Sequence, residues 1–116
     1  MLVVEDDPHV RSALEAGLAF AGYEIVSATD GQEALELLAS QRPALILLDL
    51  GLPKLSGAAV AEELRCHDHV SSIPMILLSA DPDLPDVASQ VGADAYFSKP
   101  VRLTAILREV ARLAEG

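Results

Sequence analysis

Residues 44–50 read ALILLDL, five apolar residues from Ala44 to Leu48 followed by Asp49. An unbroken apolar run of this length suits a central strand of a parallel sheet, because helices cover both faces and neither meets water. Three other short runs share the pattern. LVV (2–4) leads into Glu5 and Asp6, MILL (75–78) into Ser79, and AYFS (95–98) into Lys99-Pro100. As neighbouring parallel strands, these runs would bring three carboxylates, a hydroxyl and an ammonium to one crevice at their carboxyl ends. Open α/β sheets bind ligands there. Clustered acids need a cation, whereas a lysine beside a hydroxyl suits an anion. A metal ion together with a phosphoryl group satisfies both.

Outward from this run, strand-like and helix-like segments alternate five times, which predicts a parallel sheet with helices on both faces. Leu2 to Val4 reads as a short buried strand. Asp7 can cap the helix that follows, with Pro8 at its first position, where no N–H is missed. Val10, Leu14, Leu18 and Ala21 form its apolar stripe, and Gly22 stops it. Tyr23 to Ala28 is the second expected strand. Asp30 and Glu33 have capping-box spacing before Ala34, Leu35, Leu37 and Leu38, and Pro43 closes the connection. A loop is expected over Leu50 to Ser56, a helix from Gly57 to about Cys66, and a strand from Pro74 to Leu78. Pro82 and Pro85 leave room only for a short fourth helix, from near Pro85 to Val91. Ala95 to Ser98 reads as the last strand, and Leu103, Ile106, Leu107, Val110 and Leu113 mark a final helix running to the end.

At 116 residues with 51% hydrophobic and 22% charged residues, the chain is expected to fold as one domain over residues 1–116 with a real core. Leu, Ala, Val and Ile must fill that core, since only 3% of residues are aromatic. The net charge of −10 argues against gripping nucleic acid through its phosphates and against docking to an anionic membrane. No apolar run approaches the ~20 residues of a membrane span, and no signal peptide begins the chain. Cys66 is the lone cysteine, so no internal disulfide forms and a cytoplasmic setting is expected. It is read as a packing residue on its helix. His67-Asp68-His69 is read as a solvated helix end rather than a metal site, and His9 as exposed on the first helix.

Four motifs, LVVEDDP (2–8), LLDLGLP (47–53), LLSA (77–80) and GADAYFSKP (92–100), stand in an order that resembles the bacterial response-regulator receiver domain over nearly the whole chain. The resemblance implies a doubly wound α/β fold of the flavodoxin-like kind, a five-stranded parallel sheet in the order 2-1-3-4-5. It implies that Asp49 is a phosphoacceptor whose carboxylate attacks a phosphoryl group to form an acyl phosphate. Mg²⁺, or another divalent cation such as Mn²⁺, would be held directly by Asp6 and Asp49, by Glu5 mainly through water, and by the main-chain carbonyl of Gly51. Mutual repulsion is expected to raise the pKa values of these carboxyls when no metal is present. Lys99 would contact a phosphoryl oxygen, aimed by a cis Lys99-Pro100 bond. Ser79 would donate to another oxygen, and the Tyr96 ring would move inward as that hydroxyl is drawn toward the phosphate. Asp7 is assigned to helix capping.

The implied activity is Mg²⁺-dependent acceptance of a phosphoryl group from a histidine kinase or histidine phosphotransfer protein. It switches a partner-binding surface within a signalling domain rather than a free-standing enzyme. Small departures from the pattern are the shortened stretch Asp81 to Val91, Val101 where Phe is frequent, and Arg102 where Asp or Ser is frequent. In receivers the positions of Gly51 and Asp81 shape water access to the acyl phosphate, so the resemblance implies that Gly51 leaves the site open while Asp81 orients or repels water. Three rival readings are a phosphorylation-independent pseudo-receiver, an Asp-nucleophile phosphatase and a nucleotide- or flavin-binding domain. Every catalytic position is filled, which counts against the first. Gly51 stands where the Asp-x-Asp of the second needs its later acid, and no glycine-rich phosphate loop follows a strand.

Overall fold

Strands pair edge to edge through their backbones while their side chains alternate between two faces, and here each face finds its own helices. In the computed structural model, which describes residues 1–51, 57–66 and 72–115, five strands form one parallel sheet in the order β2-β1-β3-β4-β5. The elements run β1 (Leu2–Val4), α1 (Pro8–Phe20), β2 (Val26–Ala28), α2 (Gly31–Leu38), β3 (Ile46–Asp49) and α3 (Gly57–Arg65), followed by β4 (Met75–Ser79), α4 (Leu84–Val91), β5 (Ala95–Ser98) and α5 (Leu103–Glu115). Successive strand residues point to opposite faces. Leu2, Val4, Ile46, Leu48, Met75 and Leu77 therefore pack with Ala34, Leu38, Ala61, Leu84 and Ala88 of α2, α3 and α4. Val3, Leu47, Ile76 and Leu78 pack with Leu14 and Leu18 of α1 and Ile106 and Val110 of α5. Leu45 to Leu48 of the continuous apolar run are buried on both sides for this reason.

Local signals start and stop the helices as expected. Asp7 accepts from the His9 and Val10 amides, with Pro8 opening α1. Asp30 accepts from the Glu33 amide, and the Glu33 carboxylate accepts from Thr29 Oγ1. Gly22 at φ 97° and Gly92 at φ 68° end α1 and α4 in a backbone region that side chains disfavour.

Several boundaries differ from the sequence expectation. β2 begins at Val26 rather than Tyr23, because β1 offers only Leu2 to Val4 for pairing and the Tyr23 amide is taken by the Leu18 carbonyl. β3 reaches Asp49 and β4 reaches Ser79, so both polar residues sit in the ladder rather than beyond it, and Ala44 is exposed before β3 starts. Ala21 is exposed at the end of α1 instead of completing its stripe. Cys66 is exposed, not packed, because α3 ends at Arg65 and the Cys66 amide turns back to the Glu63 carbonyl at 3.2 Å. Arg65 holds that helix end instead, donating to the carbonyls of Val91 at 2.8 Å, Gly92 at 2.9 Å and Ile73 at 3.2 Å. The histidine pair 67 and 69 and most of the loop at 50–56 lie outside the described residues.

Candidate functional site

The register of the sheet carries the strand-end residues to one edge. Val4 pairs with Leu48, Asp49 pairs with Leu78, and Ser79 pairs with Ser98. The residues that follow, Glu5, Asp6 and Lys99, therefore emerge beside Asp49 and Ser79 at the carboxyl ends. A crevice of about 480 Å³ opens there, lined by Asp6, Asp49, Gly51, Ser79, Asp81 and Lys99 among others. A larger cavity of about 610 Å³ lies across Lys99 between α1 and α5, but its wall is apolar apart from His9 and Lys99. Asp6, Asp49 and Asp81 line the smaller space.

Glu5, Asp6 and Asp49 each offer a carboxylate oxygen, and these atoms lie within 4.8 Å of one another. Lys99 Nζ bridges two of the acids, donating to Asp49 Oδ2 at 3.0 Å and to Glu5 Oε1 at 3.2 Å. Its backbone arrives through the Lys99 amide, which donates to the Ser79 carbonyl at 2.8 Å, and through the cis Lys99-Pro100 bond. The Gly51 amide donates to Asp49 Oδ1 at 3.0 Å and holds the acid's second oxygen. Ser79 is buried, and its Oγ accepts from the Asp81 amide at 3.0 Å, which leaves the hydroxyl hydrogen as a donor. Tyr96 stands outward on β5 with 47% exposure.

The acids do not respond alike to this crowding. Burial, then the neighbouring Asp49 carboxyl, pushes Glu5 up to about 8 against the pull of Lys99. Burial alone would also raise Asp49, but bonds with Glu5, the Gly51 amide and Lys99 hold it below the ordinary carboxylate value. The expectation of a general rise is thus met by Glu5 and overturned at Asp49. Lys99 is raised: burial opposes its charge, but the bond to Asp49 and the charges of both acids outweigh that. The shifts favour a proton on Glu5 beside an Asp49–Lys99 ion pair.

Glu5 is fully buried at 0% exposure, and among the described residues its Oε2 has no hydrogen-bond partner. An orphaned carboxylate oxygen inside a protein is costly, and either a proton or a cation relieves it. The donor set is all oxygen, which fits a hard divalent cation such as Mg²⁺. Two features escaped the sequence reading. One is that Lys99 grips Glu5 as well as Asp49. The other is Arg11, whose Nη1 donates to the backbone carbonyls of Glu5 at 3.0 Å and Asp6 at 3.4 Å. A basic residue so near a helix N-terminus opposes the helix dipole, and that mismatch was the available signal.

Comparison with known proteins agrees with this geometry. The family described as "Response regulator receiver domain" matches residues 1–111. A probable transcriptional regulator, ycf27 of Cyanophora paradoxa, is 41% identical over 121 residues, covering 100% of this chain and 49% of its own. The chain thus spans about half the length of the curated relatives it matches. Among solved structures, the signal receiver domain of a signal transduction histidine kinase from Syntrophus aciditrophicus superposes with TM-score 0.91 at 32% identity, covering 99% of this chain and 89% of that one. The response regulator TrrA from Thermotoga maritima, in complex with Mg(2+)-BeF, gives TM-score 0.85 at 35% identity, covering 97% and 96%.

Proposed function

Since the chain belongs to the response regulator receiver domain family of two-component signalling, we propose that Asp49 accepts a phosphoryl group in a Mg²⁺-dependent reaction from a histidine kinase or histidine phosphotransfer protein. The observation that carries this reading is the convergence of Glu5, Asp6 and Asp49 within 4.8 Å around the Lys99–Asp49 ion pair. A carboxylate oxygen of Asp49 attacks the phosphorus of a phosphohistidine. The new O–P bond forms as the N–P bond breaks, and its electron pair stays on the imidazole nitrogen, which is then free to take a proton. Asp49 suits the nucleophile's role because its pKa is held low and its carboxylate is ionised.

Asp6, Asp49 and the Gly51 carbonyl would hold the cation directly, with Glu5 acting mainly through water. The metal supplies charge neutralisation on the transferring phosphoryl oxygens. Lys99 leaves the acids for a phosphoryl oxygen, and Ser79 donates its hydroxyl hydrogen to another. Drawing Ser79 inward opens space toward which the exposed Tyr96 ring turns, and the changed surface is what a downstream partner reads. Asp81, whose amide already holds Ser79 Oγ, orients water near the acyl phosphate and so sets its lifetime. We take residues 1–116 as one receiver domain and place it in the cytoplasm, where the exposed Cys66 thiol stays reduced. Among the described residues, no helix is long and apolar enough to cross a membrane. The test is incubation with acetyl phosphate and Mg²⁺, followed by intact mass measurement. The wild type gains one phosphoryl group and Asp49→Asn gains none; equal gain by both overturns the reading.

A further inference from the structure

The β1–α1 loop consists of residues 5–7, and it must present two acids to one ion. Its backbone is held at every step. The Glu5 amide donates to the Ala28 carbonyl at 3.1 Å, and Asp7 caps α1 through the His9 and Val10 amides. The carbonyls of Glu5 and Asp6 are both taken by one Arg11 nitrogen. Arg11 itself is fixed in α1 by its own amide, which donates to the Asp7 carbonyl at 2.8 Å, and its side chain is half-buried. It does not line the crevice, so it touches no reacting atom.

We infer that Arg11 is a positioning residue for the divalent cation, a role that rests on the metal-binding reading of this crevice. By clamping two consecutive carbonyls, the guanidinium fixes the backbone from which both carboxylates project. The acids are then held in place before the ion arrives, and the ion's binding free energy is not spent ordering them. The Nη1 amino group carries two hydrogens, enough for both carbonyls.

Electrostatics alone makes the opposite prediction, which gives the idea a decisive sign. A cation beside a cation site repels the incoming ion, so a pure charge effect means that removing Arg11 tightens Mg²⁺ binding. Positioning means that removing it weakens binding. The test is calorimetric titration of the full chain with MgCl₂, for the wild type, Arg11→Met and Arg11→Lys, alongside thermal unfolding without metal. The Met side chain keeps the apolar stem and loses every donor. The expected result is Mg²⁺ affinity lower by ~10-fold or more for Arg11→Met, within the range typical of groups that orient metal ligands, with partial recovery in Arg11→Lys. Unchanged or tighter binding in Arg11→Met overturns the inference. If Arg11→Met does not fold, Arg11→Lys decides alone: weaker binding supports the role and wild-type affinity removes it. Failure of the wild type to bind Mg²⁺ would instead defeat the underlying functional reading.

Discussion

Two loops flank the crevice, and they are built differently. The β1–α1 loop is short and held at each residue by Ala28, Arg11 and the Asp7 cap. Across Asp49, the β4–α4 connection exposes Asp81, Pro82 and Asp83. It rests on the Asp81 amide to Ser79 Oγ at 3.0 Å and the Leu84 amide to the Asp81 carbonyl at 3.3 Å. Asp83 precedes α4 without a side-chain capping bond. The opposite end of α4 is secured by Arg65 on the Val91 and Gly92 carbonyls. Among the described residues, the β1–α1 side is thus held by side-chain hydrogen bonds, whereas the β4–α4 side is exposed as far as Asp83 and is then anchored by the fully buried Leu84. For the switching role proposed above, such an asymmetry would pair a rigid part that binds with a looser part that responds.

The largest contrast is expected in the reaction itself. Lys99→Met removes the cation from Asp49 and from the coming phosphoryl oxygens, and should slow phosphoryl uptake by roughly 10²-fold or more. Tyr96→Ala, on the responding side, should leave uptake within about 3-fold, well short of what losing a charge-stabilising group costs. Rates from stopped mass measurements with acetyl phosphate check both, and similar losses would erase the distinction.

Next comes pH. Glu5 has a folded-state pKa raised from 4.5 to about 8, so between those values the folded protein binds more protons than the unfolded chain. Its contribution to metal-free stability is present at low pH and is lost as pH rises through that window. Asp49, held low, contributes the opposite: stability present above its ordinary pKa and lost on acidification. Since a cation nearby favours the ionised form of Glu5 even through a bridging water, Mg²⁺ affinity should climb with pH toward 8 and level off above it. Titration in buffers of different ionisation enthalpy should show proton release at pH 7. Affinity that ignores pH would mean Glu5 is already ionised.

The smallest effects compare the two loops directly. Asp7→Ala should cost ~1 kcal/mol in urea unfolding, as loss of a working N-cap does. Asp83→Ala should cost less than ~0.5 kcal/mol, as an uninvolved surface change does. Equal costs would show that the β4–α4 side is held as firmly as the other.

Much of this was legible in the chain because the signals are local. Asp7-Pro8 and Asp30-Glu33 carry their own capping geometry, and the strand ends gave Glu5, Asp6, Asp49, Ser79 and Lys99 by position alone. The sheet order, implied by resemblance to receivers, is the observed one. What sequence did not show depends on groups distant in the chain. Arg11 and Arg65 act on backbone carbonyls whose positions exist only once the chain has folded. Cys66 was misplaced because residue type favours burial while a helix end shifts by a residue or two. The opposite pKa shifts of Glu5 and Asp49 arise from burial, from the bond between the two acids, and from the Gly51 amide and Lys99 on Asp49, none of which spacing encodes.

The claim on which everything else depends is that Asp49 itself becomes the acyl phosphate. Treating the chain with acetyl phosphate and Mg²⁺, reducing it with borohydride and mapping its peptides locates the modified carboxyl. The account predicts reduction to homoserine at position 49 alone. Modification at Glu5, Asp6 or any other residue, with position 49 intact, would contradict it.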